Sequence, residues 1–339
     1  MSEVSSTCQL AVVIPAFKAD FLARALTCLV QQTDQRFNIY VCDDASPADL
    51  QSITRSALGA RPHIYKRFET NLGGVSLAKN WDRCVAESNE PWIWLFSDDD
   101  LMEPGCVAAF YKFLETAGES ADVLRFDGWT VDENDQITGS PLMNSERESW
   151  LEFAYGQLMG CRCLLFMQQM VFRREAFLEM KGFLDLPLCW GTEYAAMIAL
   201  SRRRGMRRIP GARMFWRISR QNISSDRLVR TRTKKLRATC LFLSWLHALL
   251  QAPREHLFPG DDAAFRNAMD RFLVAEILSN GLIPALTNWN LLSRTRNQVS
   301  NGSSLSLFKY LALAAVNDSF TALGNAAKAL TGRTESSKN

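Results

Sequence analysis

The sequence predicts an α/β protein, a mainly parallel, Rossmann-like sheet flanked by helices, with an α-helical carboxyl-terminal appendage. Three observations predict it. Continuous apolar, β-branched runs alternate with stretches of helical spacing from Leu10 onward, as in a sheet built by right-handed crossovers. Each run ends in a polar or tight-turning stretch, and open α/β sheets place ligands beyond the carboxyl ends of their strands. From about Ser225 the texture changes to basic and apolar residues at helical spacing. The division read from this is a sheet domain over 8–224, a helical region over 225–330 and a disordered tail over 331–339.

The elements follow in order. Leu10–Ile14 is an unbroken apolar run, which suits a strand buried on both faces, and it ends at Pro15-Ala16-Phe17. Asp20–Gln32 carries Phe21, Leu22, Ala25, Leu26 and Leu29 on one helical face. Phe37–Cys42 reads as a second strand, ending in Asp43-Asp44; a helix follows over Ala48–Leu58 and a short third strand over His63–Phe68. Asn71-Leu72-Gly73-Gly74 then opens a helix through Val75–Glu87. Lys79 and Asn80 lie in that helix, either on a solvated face or in contact with a nucleotide.

Trp92–Phe96 is the next apolar run, and it stops abruptly in Ser97-Asp98-Asp99-Asp100. Three adjacent acids repel one another, so the arrangement is costly unless a cation or hydrogen-bond donors offset it. Hard divalent ions bind such oxygens and commonly share the site with substrate phosphates. The functional reading is therefore a metal and diphosphate site at a strand end. The plainer reading is an acidic loop before the helix that Glu103-Pro104-Gly105 begins.

Further on, Pro104–Thr116 reads as helix, Val123–Val131 as strand, Ser149–Met159 as helix, Leu164–Phe172 as strand and Arg174–Met180 as a short helix. Tyr194–Arg204 reads as a helix closed by Gly205, and Met206–Arg220 as one or two short edge strands. The five arginines of Arg202–Arg208 read either as a solvated helix end or as a basic contact for an anionic acceptor or membrane headgroups. Arg227–Leu250, Asp261–Ser279 and Leu305–Ala329 read as the helices of the appendage; plain packing is the common use of such faces, and a peripheral membrane contact is the alternative.

Bulk properties exclude several classes. With 339 residues, 47% of them hydrophobic, and a formal charge of +3, nothing argues for nucleic acid. No apolar run approaches the roughly 18 residues needed to span a bilayer, and no basic region followed by an apolar core marks a secretion signal. A cytoplasmic protein, peripheral at most to the inner face of a membrane, is expected. The nine cysteines are scattered singly, which fits reduced, buried thiols; Cys161-x-Cys163 lacks a second metal-binding pair. Neither GxGxxG nor GxxxxGK[ST] occurs.

Taken together, the strand ends resemble those of the family 2 glycosyltransferases with the GT-A fold, over about Leu10 to Ser224. Val13-Ile14-Pro15-Ala16-Phe17 resembles the opening strand of that family, Val41-Cys42-Asp43-Asp44-Ala45-Ser46 its "VDDGS" turn, Asn71-Leu72-Gly73-Gly74 through Ala78-Lys79-Asn80 its "NxG…ARN" segment, and Leu95–Asp100 its DxD-type motif. Each is weak alone; their order and spacing together are specific. The resemblance implies an inverting transfer of a sugar from a nucleotide-diphosphate donor, most simply a UDP-sugar, to a hydroxyl acceptor, such as a glycan or lipid-linked acceptor in surface polysaccharide, lipopolysaccharide or lipid-linked glycan assembly. It implies that Pro15, Ala16 and Phe17 shape the nucleotide pocket, that Asp43 or Asp44 bonds the base, that Asn71, Gly73 and Lys79 lie along the donor, and that Asp98 faces the ribose. Asp99 or Asp100 would hold Mn²⁺ or Mg²⁺ across the diphosphate.

An inverting transfer also needs a base for the acceptor hydroxyl. Trp190-Gly191-Thr192-Glu193-Tyr194 occupies the place of the family's acceptor loop and acidic pair, with Thr192 in place of the first acid and Glu193 aligned with the second. Glu193 is the candidate base; otherwise it is a helix N-terminal acid favoured by the dipole. Ser219 stands where many relatives carry a metal-binding histidine, which puts metal dependence in question. The QxxRW pattern of processive members is absent, so single-sugar addition is implied. The competing readings are a nucleotidyltransferase, which would want a glycine-rich basic loop where Pro15-Ala16-Phe17-Lys18 stands, and a non-catalytic nucleotide- or sugar-binding module.

Overall fold

The computed structural model describes residues 8–118, 120–139, 144–160, 166–252, 261–299 and 309–316. The chain forms two compact units, one of Met1–Gln157, Cys161–Asp185 and Thr192–Asn222, the other of Leu158–Gly160, Leu186–Gly191 and Ile223–Asn339.

The first unit holds the sheet. Strands β1 (Leu10–Ala16), β2 (Phe37–Asp43), β3 (Ile64–Arg67) and β4 (Trp92–Leu95) run parallel in the order β3-β2-β1-β4. Leu10, Ala11, Val12, Val13 and Ile14 are all fully buried, as a strand covered on both faces requires. Helices α1 (Leu22–Val30), α2 (Leu50–Leu58) and α3 (Leu77–Ala86) make the crossovers. Their starts follow from local chemistry: the Asp49 carboxylate accepts from the Ser52 N–H at 3.0 Å, and the Ser76 hydroxyl accepts from the Lys79 N–H at 3.2 Å.

Beyond β4 the sheet becomes mixed. After β5 (Leu101–Met102) and α4 (Cys106–Ala117) come β6 (Val123–Val131), β7 (Arg147–Glu148), α5 (Trp150–Leu158), β8 (Met170–Arg173), α6 (Arg174–Met180), α7 (Thr192–Leu200) and β9 (Met206–Arg217). Antiparallel β8 lies between β4 and β6, β9 runs parallel to β6, and β5 and β7 pair antiparallel with β9. Trp94 ties the two halves together: its ring stacks on Phe126 at 4.8 Å and its indole N–H donates to the Gln168 carbonyl at 2.7 Å. Arg125 and Glu148 form a fully buried ion pair at 2.7 Å. Losing either partner of such a pair costs about 3–5 kcal/mol.

Several expectations are corrected. The strand expected over Leu164–Phe172 is shorter, because Met167–Gln169 is a 3₁₀ turn; the Gln169 side chain accepts from the Phe166 N–H and donates to the Phe126 carbonyl, coiling the chain before β8. The helix expected over Tyr194–Arg204 starts at Thr192 and stops at Leu200, since Asp122 draws off the Arg204 N–H at 2.9 Å. Met206–Arg217 is one strand with neighbours on both sides rather than one or two edge strands. Pro210-Gly211 interrupts its register against β6 between Phe126 and Asp127, which is why the sequence reads as two pieces.

The second unit is helical. The 23-residue α8 (Val229–Gln251) buries Leu236, Cys240, Leu243, Leu246 and Leu250 along one stripe. It packs with α9 (Asp261–Asn280), α10 (Leu282–Thr287) and α11 (Trp289–Val299). The last two were not foreseen; Gly281, with φ of +88°, ends α9, and Trp289 begins α11. Residues 309–316 are helical; the remainder of the helix expected over Leu305–Ala329, Cys161, Cys163 and the tail 331–339 lie outside the described residues. Among the described residues no helix is long and apolar enough to cross a membrane.

Candidate functional site

The carboxyl ends of the adjacent strands β2, β1 and β4 converge, and hydrogen bonds stitch them together. The Phe17 and Lys18 N–H groups, just past β1, donate to Asp98 Oδ2 at 2.9 and 2.8 Å. The Asp44 N–H donates to the Ala16 carbonyl at 2.9 Å, and the Ser46 hydroxyl to the Phe17 carbonyl at 2.6 Å. Pro15 and Ala16 complete β1, Ala16 fully buried, while the Phe17 ring is 39% exposed at the rim. The structure thus brings Pro15, Ala16, Phe17, Asp43, Asp44 and Asp98 to one place.

The two acids after β2 are already heavily bonded. Asp43 accepts from the Ser46 N–H at 2.8 Å, from the Tyr65 hydroxyl at 2.6 Å and from Arg67. Burial and the Asp43 bond push the Tyr65 phenol up. Asp44 accepts the Leu72 and Gly73 N–H groups, each at 2.8 Å, and pairs with Arg83. A Cβ on Gly73 would stand 2.5 Å from Asp44 Oδ2, so this glycine is needed for close approach. Asn71 accepts from the Gly74 N–H at 2.6 Å, closing the turn. Lys79 points to solvent and lies 4.0 Å from Asp185 Oδ2.

The three acids after β4 diverge. Asp98 takes the two backbone N–H groups of Phe17 and Lys18; burial and the neighbouring Asp99 charge push its carboxyl up to about 6, against Lys18. Asp100 accepts from the Arg217 N–H at 2.8 Å and from Ser97, and burial and Asp99 push it well up. Asp99 holds the Lys18 ammonium, whose Nζ is also 3.9 Å from Asp98 Oδ1. Burial works against that ammonium, but Asp98 and Asp99 outweigh it and raise the Lys18 pKa. The fully buried Arg217 donates from Nε to the Asp99 carbonyl at 2.7 Å and pairs with Asp135 at 2.6 Å.

This donor set offers a divalent metal one side chain. Asp98 and Asp100 face backbone donors, Asp99 faces a lysine, and the Ser219 hydroxyl donates to Asn222 Oδ1 at 2.7 Å. Among the described residues no three His, Cys, Asp or Glu side chains are grouped to hold a metal ion. Of the two expected metal ligands, Asp100 faces the Arg217 N–H and Asp99 faces Lys18.

Glu193 sits in the first turn of α7, half-buried, and accepts from its own N–H; burial pushes its carboxyl up to about 7. No hydrogen bond or ion pair among the described residues joins it to the strand-end acids. The Thr192 hydroxyl beside it donates to the Leu184 carbonyl at 2.9 Å. Trp190 and Gly191 belong to the helical unit. There the Trp190 side chain bonds Glu276, and the Lys235 ammonium lies 4.5 Å over its ring. Leu188, Cys189 and Gly191 all have positive φ, at 62°, 51° and 88°, so this loop is strained and its conformation is imposed.

The arginines of the 202–208 run are occupied: Arg203 pairs with Glu175 and Glu179, Arg204 with Asp122 and Arg208 with Asp127, while Arg202 and Arg207 face the Trp150 and Phe113 rings. Sequence reasoning missed Lys18, Tyr65, Arg67, Arg83, Arg217 and Glu276. The available signal was charge balance: a strand end rich in acids needs cations, and these lie just after β1 and at the ends of β3 and β9.

A doubly-wound parallel half sheet with acids at its strand ends, joined to a mixed half, is the GT-A fold. Residues 11–177 match the sequence profile of the family Glycosyl transferase family 2, and this match supports a glycosyltransferase. No curated protein sequence matches the chain. The same fold is found in TarS 1–349 of S. aureus in complex with UDP-GlcNAc, at TM-score 0.54 and 13% identity, covering 86% of this chain and 90% of that one. The UDP complex of TarS 1–349 gives TM-score 0.54 and 13% identity, over 92% and 91% of the two chains. The mannosyltransferase PcManGT from Pyrobaculum calidifontis, in complex with GDP-Man and Mn²⁺, gives TM-score 0.51 and 12% identity over 95% and 81%. The transferase reading therefore stands over the nucleotidyltransferase and the non-catalytic module.

Proposed function

We propose that the chain moves a single sugar, with inversion, from a nucleotide-diphosphate sugar to a hydroxyl acceptor of a glycan or lipid-linked glycan. The observation that carries this reading is the bonded convergence of Asp43, Asp44 and Asp98 with Phe17 at three adjacent strand ends. The solved neighbours support it, since their complexes hold UDP-GlcNAc, UDP and GDP-Man. In this reading the Phe17 ring and the walls of Pro15 and Ala16 flank the base, Asp43 with Tyr65 and Arg67 bonds its edge, and Asp98 faces the ribose. Asn71, Gly73 and Lys79 border the donor, with Asp44 fixing the position of Gly73.

The acceptor oxygen attacks the anomeric carbon as the bond to the diphosphate breaks, and the nucleoside diphosphate leaves. Glu193 takes the acceptor proton. A carboxyl raised to about 7 is suited to this, because a base works best with a pKa near the operating pH. Trp190 and Gly191 form the acceptor loop.

The test has two parts. Calorimetric titration with UDP and then GDP should give micromolar binding of one of them. Glu193→Gln should keep that affinity and lose about 10²–10⁴-fold in turnover of the matching nucleotide-sugar; unchanged turnover would remove Glu193 from the mechanism. The wild-type rate should rise with pH through about 7, since only the ionised Glu193 accepts a proton.

A further inference from the structure

We propose that the Lys18 ammonium supplies the positive charge that meets the donor diphosphate at this site, so that nucleotide binding does not require a divalent cation. The proposal rests on the reading of the strand ends as the donor site.

Four observations carry it. First, Lys18 is built into the acidic cluster. Its own N–H and that of Phe17 donate to Asp98 Oδ2 at 2.8 and 2.9 Å, which fixes the backbone, and its side chain returns to pair with Asp99. Second, the ammonium has capacity to spare. A lysine has three N–H donors; Asp99 accepts from one, and Asp98 Oδ1, at 3.9 Å, is beyond hydrogen-bond reach. Two donors remain for phosphate oxygens, and the side chain is 31% exposed, so a ligand can reach them.

Third, the acids have little left for a metal. Asp98 and Asp100 are turned to backbone N–H groups, and Ser219, in the place of the histidine that the family resemblance leads one to seek, donates to Asn222. Fourth, a second cation adjoins the backbone of the same acidic run. Arg217 is fully buried, bonds the Asp99 carbonyl through Nε, and keeps a buried Nη2 with no hydrogen-bond partner among the described residues. The half-exposed Lys18 ammonium, backed by the buried Arg217 guanidinium, leaves positive charge to meet a phosphate, for which lysine acts as a point charge. The diphosphate would share the Lys18 ammonium with Asp99 rather than displace it.

The experiment is calorimetric titration of the full chain with UDP, GDP and uridine, in EDTA and in Mn²⁺, for wild type, Lys18→Gln and Lys18→Arg. Circular dichroism melting checks that each variant folds. The proposal expects diphosphate binding in EDTA within about threefold of that in Mn²⁺. It expects Lys18→Gln to weaken diphosphate binding by about tenfold or more, roughly 1.4 kcal/mol, while uridine, which lacks phosphates, binds as before. Lys18→Arg should recover most of the loss. Binding in wild type that appears only with Mn²⁺ would overturn the proposal and leave the transferase reading intact, as would Lys18→Gln binding UDP like wild type. Absence of nucleotide binding under every condition would instead overturn the donor-site reading and the proposal with it.

Discussion

Asp44, after β2, and Asp99, after β4, look alike in sequence and behave differently in the fold. Asp44 is spent on its own scaffold: two backbone N–H groups of the 72–73 turn and Arg83 occupy its oxygens, and Gly73 is pressed against it. The Asp99 carboxylate takes no backbone N–H among the described residues; it holds a lysine at the solvent edge. The difference is one of reach. A turn that closes back onto a carboxylate supplies donors and makes it structural, whereas a carboxylate met only by a flexible ammonium stays available to ligands. Adjacent acids at a strand end therefore divide into anchor and contact by what folds over them.

The widest separation between the two should appear in stability. Asp44→Ala strands two N–H groups and the Arg83 charge, and should lower the unfolding free energy in urea by about 3 kcal/mol. Asp99→Ala, which relieves repulsion within the Asp98–Asp100 run, should stay within about 1 kcal/mol of wild type; an equal loss in both variants would erase the distinction. Gly73→Ala should come next, losing about 1–3 kcal/mol because its Cβ would meet Asp44 Oδ2 at 2.5 Å. In the double variant Gly73→Ala with Asp44→Ala the glycine's share should shrink, which a double-mutant cycle would read.

A smaller effect should appear with pH. The folded-state pKa of Asp98 is raised from 3.8 to about 6, so the folded protein holds this proton more tightly than the unfolded chain. That contribution to stability is full below about pH 4 and is lost as pH rises towards 6. Asp98→Asn cannot titrate, so its stability relative to wild type should improve over that interval, as measured by urea midpoints at a series of pH values. A constant difference from pH 4 to pH 7 would mean that Asp98 is not held neutral by its surroundings.

Much of the parallel half was legible because each of its strands is a short, continuous apolar run with a turn signal at its end. Leu10–Ile14 and Phe37–Cys42 could hardly be anything else. The mixed half was harder. Gln168 and Gln169 look like strand interior until the Gln169 side chain is seen bonding the Phe166 N–H and the Phe126 carbonyl, and Pro210-Gly211 hides the continuity of β9. At the site the acids were visible and their partners were not. Lys18, Arg67, Arg83 and Arg217 come from four separate stretches, and only the sheet order brings them to Asp99, Asp43 and Asp44. Glu276, 86 positions beyond Trp190, gives no sign in sequence of bonding it.

The loop Leu186–Gly191 packs as part of the helical unit, yet Gly191 is followed directly by Thr192 and Glu193 of the sheet unit. The chain therefore changes allegiance one residue before α7 begins. Substitutions at Lys235 or Glu276, which grip Trp190 within the helical unit, would therefore act on the stretch of chain that leads directly into Glu193, while every strand-end acid stands unchanged.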